Sequence, residues 1–258
     1  MGNKIITLLT DFGTKDGYIG AAKGVIKRIN PQAEIVDITH DIDSCDVFGA
    51  SFALNNFYRY FPKGAIHLAV VDPGVGSQRQ PMLIKTKDFF FVGPDNGIFS
   101  FTYEREDLTD IVVISNKKYF LAELSSTFHA RDIFAPVAAY LSLGVKTDEF
   151  GLPAKECMKF IIPRPESKGK GLKGQIIHID RFGNLITNFP ADLLEKQKIA
   201  EIRVGKRRIK GISASYFEIK GLGALIGSSG FLELAVNQGS AQKLLKAKVG
   251  EGVGIDFE

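Results

Sequence analysis

The chain has 258 residues, 45% hydrophobic and 24% charged, the balance of an ordinary globular protein, which excludes a mostly disordered chain. No apolar run approaches the roughly 18 residues of a membrane-spanning helix. Lysine and arginine number 33 against 29 acidic residues, a formal charge of +4, too mild an excess to point to nucleic acid. The basic clusters at 168–173 and 206–208 read as a solvated linker and a charged hairpin turn. Cys45 and Cys157 are too few and too far apart for a disulfide framework or a thiolate metal site. The opening MGNKIITLLTDFG has too short an apolar stretch for a secretory signal, so a reduced, cytoplasmic protein is expected.

Residues 4–9 (KIITLL) read as a buried strand, followed by a glycine-containing turn and a helical pattern over 20–29. Residues 34–39 (EIVDIT) form a second strand. Over 46–61, Phe48, Phe52, Phe57 and Phe61 fall near helical spacing and make one apolar face. Residues 65–71 (AIHLAVV) are almost uninterruptedly apolar, the pattern of a parallel strand buried on both faces. Strands at 89–92 and 110–115 and a helix at 133–143 complete the alternation. It predicts a layered α/β domain with a mostly parallel sheet over residues 1–162.

Residues 163–171 (PRPESKGKG) carry prolines and glycines and no apolar side chain, which predicts a linker over 163–173. Beyond it, short strands are expected at 174–180, 199–204, 224–227, 231–236 and 253–257, with brief helical patterns at 191–196 and 240–245. This spacing predicts a smaller all-β, barrel-like domain over 174–258.

Polar loops follow the strands of the first domain: TDFG at 10–13, DPGVG at 72–76 with Arg79 shortly after, and GPDNG at 93–97. In open α/β sheets, ligands bind beyond the carboxyl ends of the strands, so three such loops together mark a site better than any one. The structural alternative is that Asp and Asn cap helices and Gly makes turns. DPGVG lacks the Lys-Ser/Thr ending of a phosphate loop and the third glycine of a dinucleotide fingerprint. A carboxylate there repels phosphate and suits a cation, a metal or the vicinal diol of a ribose.

STFHARD at 126–132 precedes a helix. Helix capping explains its Ser, Thr and Asp132 but leaves His129 and Arg131 unexplained, which points to function. His40, beside Asp41 and Asp43, is a candidate for a metal site, although the chain has no HxH or HExxH spacing. His67 and His178 fall within strands and read as structural. In the second domain, DRFGN at 180–184 and GSSG at 227–230 are either hairpin turns or site loops.

Taken together, TDFG at 10–13, VVDPGVG at 70–76, GPDNG at 93–97, STFHARD at 126–132, DRFGNLITN at 180–188 and GSSGFLELA at 227–235 resemble the SAM hydroxide adenosyltransferases. These are also called SAM hydrolases and are related to the SAM-dependent fluorinase and chlorinase. The resemblance runs in order across both expected domains. It implies hydrolysis of S-adenosylmethionine to adenosine and methionine, with no metal and no cofactor beyond the substrate itself. It also implies a homotrimer whose sites lie between one subunit's first domain and its neighbour's second, with no nucleic-acid or membrane partner.

Residue by residue, the resemblance makes Asp11 the ligand of the ribose hydroxyls, with Asp72, Arg79 and His129 holding and activating the attacking water. Asp72 is also implied in ribose contact. Asp180 would face the α-ammonium of methionine and Ser228 its carboxylate. Asn184 would read the adenine edge, with Glu233 and Val236 nearby and Tyr216 stacked on the base. One departure is Ala130, where the family commonly has glycine, which places a methyl beside the nucleophile. The sulfonium makes methionine a neutral leaving group, so no acid has to protonate it. Arg79 stays protonated and cannot be the base, which leaves neutral His129 to accept the proton. Two alternatives remain: a halide-using adenosyltransferase, disfavoured because the fluorinase's inserted loop has no counterpart in the first domain, and a non-enzymatic adenosine or SAM binding module.

Overall fold

The computed structural model describes residues 5–195 and 197–258. Lys4 and Lys196, expected at the start of the first strand and the end of a short helix, lie outside the described residues. The chain divides into two compact units, one ending at Phe160 and the other spanning Ile161–Glu258.

In chain order the first unit holds β1 (Ile5–Thr10), α1 (Tyr18–Ile29), β2 (Glu34–Thr39), α2 (Val47–Phe57), β3 (Ile66–Val70), β4 (Pro81–Thr86), β5 (Phe90–Pro94), α3 (Ser100–Tyr103), β6 (Leu108–Ile114), α4 (Ala135–Ser142) and β7 (Gly151–Pro153). Among the described residues its sheet has the order β2-β1-β3-β5-β4-β6-β7. The pairings from β2 through β5 are parallel, and those of β4, β6 and β7 are antiparallel. The antiparallel half depends on β4, which is not among the strands expected from sequence. It returns to β5 through a tight turn in which Thr86 Oγ1 accepts the N–H of Phe89 at 3.0 Å.

The apolar runs of β1 and β3 reflect helices on both faces. Ile6 and Leu8 belong to one core with Ala22 and Ile26 of α1 and Val137 and Leu141 of α4. Leu9 and Ala69 point the other way, into a core with Ala50 and Leu54 of α2. Asp46 starts α2 by accepting the Gly49 N–H at 2.8 Å, the side-chain cap that satisfies an orphan donor. The chain leaves β1 for β2 on one side and returns to β3 on the other, with Thr10 opposite Val70. That is the topological switch point at which a crevice opens beyond the strand ends.

The second unit comprises β8 (Glu166–Lys168), β9 (Gly171–Ile179), β10 (Leu185–Pro190), α5 (Ala191–Leu194), β11 (Ile199–Val204), β12 (Arg207–Ile209), β13 (Leu222–Ile226), β14 (Phe231–Val236), α6 (Ala241–Leu245) and β15 (Gly252–Phe257). Among the described residues these strands form an antiparallel sheet in the order β12-β11-β15-β9-β10-β14-β13, with β8 beside β9. The end strands β12 and β13 approach one another, so the sheet curls into a nearly closed barrel around Ile176, Leu185, Phe189, Ile202, Leu232 and Leu234.

The expected linker over 163–173 is corrected from residue 166 onward. There β8 and β9 pair as a hairpin, and Gly169, at φ +60°, supplies the left-handed backbone a short turn needs. Residues 166–168 lack apolar side chains because β8 is an exposed edge strand, not because they are unstructured. No helix among the described residues is long and apolar enough to cross a membrane.

Candidate active site

Because Thr10 and Val70 are register partners, Asp11 and Asp72 leave the sheet close together. Both line a cavity of about 310 Å³ in the first unit, with Phe12, Tyr18, Cys45, Phe128, His129 and Ala130. Asp11 Oδ2 accepts the backbone N–H of Cys45 at 3.0 Å, an N–H presented by the unusual left-handed conformation of Cys45 (φ 65°). Phe12, Tyr18 and Phe128 form a mutual aromatic cluster, with centroids 5.3–6.2 Å apart, and make one wall apolar.

Asp72, Arg79 and His129 are brought together. Arg79 Nε donates to Asp72 Oδ1 at 3.0 Å, its Nη2 donates to Asp72 Oδ2, and Nη2 also reaches Nδ1 of His129 at 2.8 Å. The Asp72 and Arg79 side chains are 6% and 9% exposed, so the pair is held in a water-poor setting where its geometry is well defined. The guanidinium also lies over the Phe134 ring at 5.3 Å. Since a guanidinium can only donate, Nδ1 of His129 accepts and a neutral ring carries its proton on Nε2. Burial and the neighbouring Arg79 charge hold the His129 pKa below its ordinary value, which favours that neutral form. With Nδ1 taken by Arg79, a neutral His129 ring has its remaining polar atom, the Nε2–H, free as a donor.

Local sequence explains how these loops meet. Gly76 has φ +77°, and a Cβ there would run into the carbonyl oxygen of Ser126, so DPGVG can lie against STFHARD only with glycine at this position. Directly after His129, residues Ala130–Phe134 form a π-turn, an insertion that often accompanies functional sites. Asp132 is fully buried, accepting Ser125 N–H at 2.7 Å and Arg131 Nε at 2.6 Å. It lies in the first turn of the helix, as expected, and also braces this loop. Arg131 packs over Phe128 at 5.1 Å.

GPDNG does not line this cavity. Asp95 Oδ1 accepts Met158 N–H at 2.7 Å, and Asn96 Nδ2 donates at 2.8 Å to the carbonyl of Val71, the residue before Asp72. The loop is a latch behind the site. His40, the candidate metal ligand, instead bonds to Thr10, and among the described residues no group of three or more His, Cys, Asp or Glu could hold a metal ion.

In the second unit Asp180, Asn184, Tyr216, Ser228, Glu233 and Val236 all line one cavity of about 800 Å³. Asp180 also braces its own turn, accepting the N–H of Phe182 at 2.9 Å, the N–H of Asn184 at 2.8 Å and Asn184 Nδ2 at 2.9 Å. Tyr216 donates its hydroxyl to Glu233 Oε1 at 2.5 Å. Burial pushes the Glu233 pKa up, and the Asp180 charge adds to this against the Tyr216 hydrogen bond. Burial and Glu233 also raise that of Tyr216.

Sequence reasoning missed Phe12, Tyr18 and Phe128 as cavity walls, and Lys243, which lines the second cavity. Phe12 and Phe128 stand inside the quoted motifs, but an aromatic residue in a motif does not announce which way it faces.

Residues 6–151 match the family model for the SAM hydroxide adenosyltransferase N-terminal domain, and residues 174–254 match that for its C-terminal domain. A relative from Methanocaldococcus jannaschii, named (R)-S-adenosyl-L-methionine hydrolase, is 38% identical, with 93% of this chain and 91% of the relative covered. A Thermus thermophilus protein of the same name is 35% identical over 97% of this chain and 98% of its own. A fluorinase of an Actinoplanes species is 28% identical, with 77% and 76% covered. A solved structure of a conserved protein from Thermotoga maritima superposes with a TM-score of 0.91 at 38% identity, covering 97% of this chain and 99% of that one. With both domain models matched in order on either side of the hairpin at residues 166–173, the chain belongs to the SAM hydroxide adenosyltransferase family.

Proposed function

We propose that the protein hydrolyses S-adenosylmethionine to adenosine and methionine. The observation that carries this reading is the Asp72–Arg79–His129 cluster, which opens on the cavity that also holds Asp11. Asp11 accepts the ribose hydroxyls, for which a carboxylate oxygen keeps lone pairs beyond the Cys45 N–H. A water held by His129 Nε2–H and Asp72 attacks C5′ in line with the sulfonium, from about 3–3.5 Å. As the C–O bond forms, the C5′–S bond breaks and its electron pair stays on sulfur, so methionine leaves neutral. The attacking oxygen becomes an oxonium, acidic enough to pass its proton to Asp72, whose oxygens have acceptor capacity beyond the two Arg79 bonds. No step calls for a metal.

In the same reading, Asp180 and Ser228 take the methionine ammonium and carboxylate, while Asn184, Glu233, Val236 and Tyr216 take the adenine. A homotrimer in which a neighbour's second unit completes the site follows from family resemblance. Chromatography of an S-adenosylmethionine incubation tests the function, expecting adenosine and methionine, with ¹⁸O from labelled water in the 5′-hydroxyl and no loss of rate in chelator. A 5′-halo product at ordinary chloride overturns the hydrolase in favour of a halide transferase. Intact S-adenosylmethionine leaves a binding module.

A further inference from the structure

Beneath Asp11 runs a line of polar groups that the reaction does not use. Thr10 Oγ1 lies 2.9 Å from Nδ1 of His40. Nε2 of His40 lies 3.1 Å from Asp37 Oδ1, and Asp37 Oδ2 accepts from Lys23 Nζ at 2.6 Å. Thr10 and His40 are 2% and 6% exposed, so neither can turn to water for a substitute partner.

The carboxylate favours one polarity for this line. Asp37 can only accept, so in a neutral His40 ring the proton belongs on Nε2, which faces Oδ1 without hydrogen-bond alignment, and Nδ1 accepts. Thr10 must then donate its hydroxyl to Nδ1, which turns a lone pair toward the Phe12 N–H at 3.3 Å. The same segment grips the TDFG loop twice more: Gly13 N–H donates to the His40 carbonyl at 2.8 Å, and Cys45 N–H reaches Asp11 itself at 3.0 Å. The loop bearing Asp11 is therefore oriented by one histidine through both side chain and backbone.

We propose that His40 is a positioning residue for Asp11, and through it a determinant of selectivity for ligands with an intact ribose diol. This rests on the reading of Asp11 as the ribose ligand. A buried histidine that only stabilised the sheet would affect folding, but not the preference between nucleosides with and without the diol.

Calorimetric affinities of the full chain for adenosine and 2′,3′-dideoxyadenosine separate the cases. Asp11→Ala must first abolish the preference for adenosine; if the preference survives, the reading of Asp11 fails, whatever His40 does. Given that loss, Thr10→Val and His40→Gln should lower the preference about tenfold, the worth of a well-placed hydrogen bond to a charged group. Glutamine can reach Asp37 but leaves the Thr10 hydroxyl without its acceptor. His40→Asn, whose side-chain carbonyl falls near the place of Nδ1, should keep the preference within about twofold. Thr10→Val keeps the shape of the side chain and is expected to fold even if a His40 variant does not. An unchanged preference in Thr10→Val, with Asp11→Ala having lost it, overturns the proposal.

Discussion

Arg79 donates to Nδ1 of His129 at 2.8 Å while holding Asp72 through two of its nitrogens. One guanidinium therefore sets both the direction of the carboxylate and the tautomer of the imidazole. Arg is suited to this because its donors are fixed in a rigid fork, which lysine does not offer.

His129→Ala should lower kcat by roughly 10²-fold or more and change KM little, the pattern of an interaction that strengthens as the nucleophile attacks. Protonating Nδ1 would set two cations face to face, so the neutral ring is the active form. Burial and Arg79 depress the His129 pKa, so the acid limb of kcat against pH should fall below the ordinary histidine value of about 6.5. A limb at or above that value would contradict the tautomer derived from Arg79.

His67 titrates as a stability group. It packs among Tyr58, Phe61, Phe89 and Phe91, with centroids 5.2–5.9 Å away, and burial lowers its pKa to about 3. The unfolded chain protonates near 6.5, so between these values the unfolded state binds more protons. This contribution is complete above about 6.5 and is lost on acidification, by about 1.4 kcal/mol per pH unit. Urea unfolding from pH 7 to 4.5 should show that slope. The double variant Thr7→Val, His67→Phe, which removes the hydrogen-bonded pair together, should flatten it by the equivalent of one proton.

Gly97→Ala should destabilise the first unit by about 1–3 kcal/mol, read as a lowered urea midpoint. Gly97 has φ +93°, and a Cβ there would come within 2.6 Å of the Phe160 ring. Because GPDNG braces the site from behind and lines no part of its cavity, adenosine affinity of the folded variant should stay within about threefold. A selective loss of affinity with unchanged stability would return this loop to the ligand site.

If the chain assembles as a homotrimer in which neighbouring subunits supply the two halves of each site through a heterologous contact, the Asp11→Ala and Asp180→Ala variants should each be poorly active. Unfolded and refolded together, they should regain activity in proportion to the interfaces that pair an intact first unit with an intact second unit. Mixed trimers verified by mass spectrometry but without recovered activity would place each site within one chain.

Much of the fold was legible because its signals are local. The apolar runs of β1 and β3 required burial on both faces, and the Gly-rich turns after them marked where the sheet stops. The hairpin of β8 and β9 and the antiparallel strand β4 were not legible. An exposed edge strand carries no apolar signature, and β4 takes its identity from partners on both sides.

Residue types placed Asp11 and Asp72 in polar loops after strand ends and left His129 unexplained by capping, and the family resemblance joined them with Arg79 as one candidate set. What only the tertiary structure decided was how each is used. GPDNG looked like a third ligand loop and is a latch, His40 looked like a metal ligand and bonds to Thr10, and His129 meets Arg79 through Nδ1. The physical reason is the same in each case. A side chain's chemistry is set by its residue type, but whether it donates, accepts or is already satisfied depends on partners that are, like Arg79 for His129, tens of residues away in the chain.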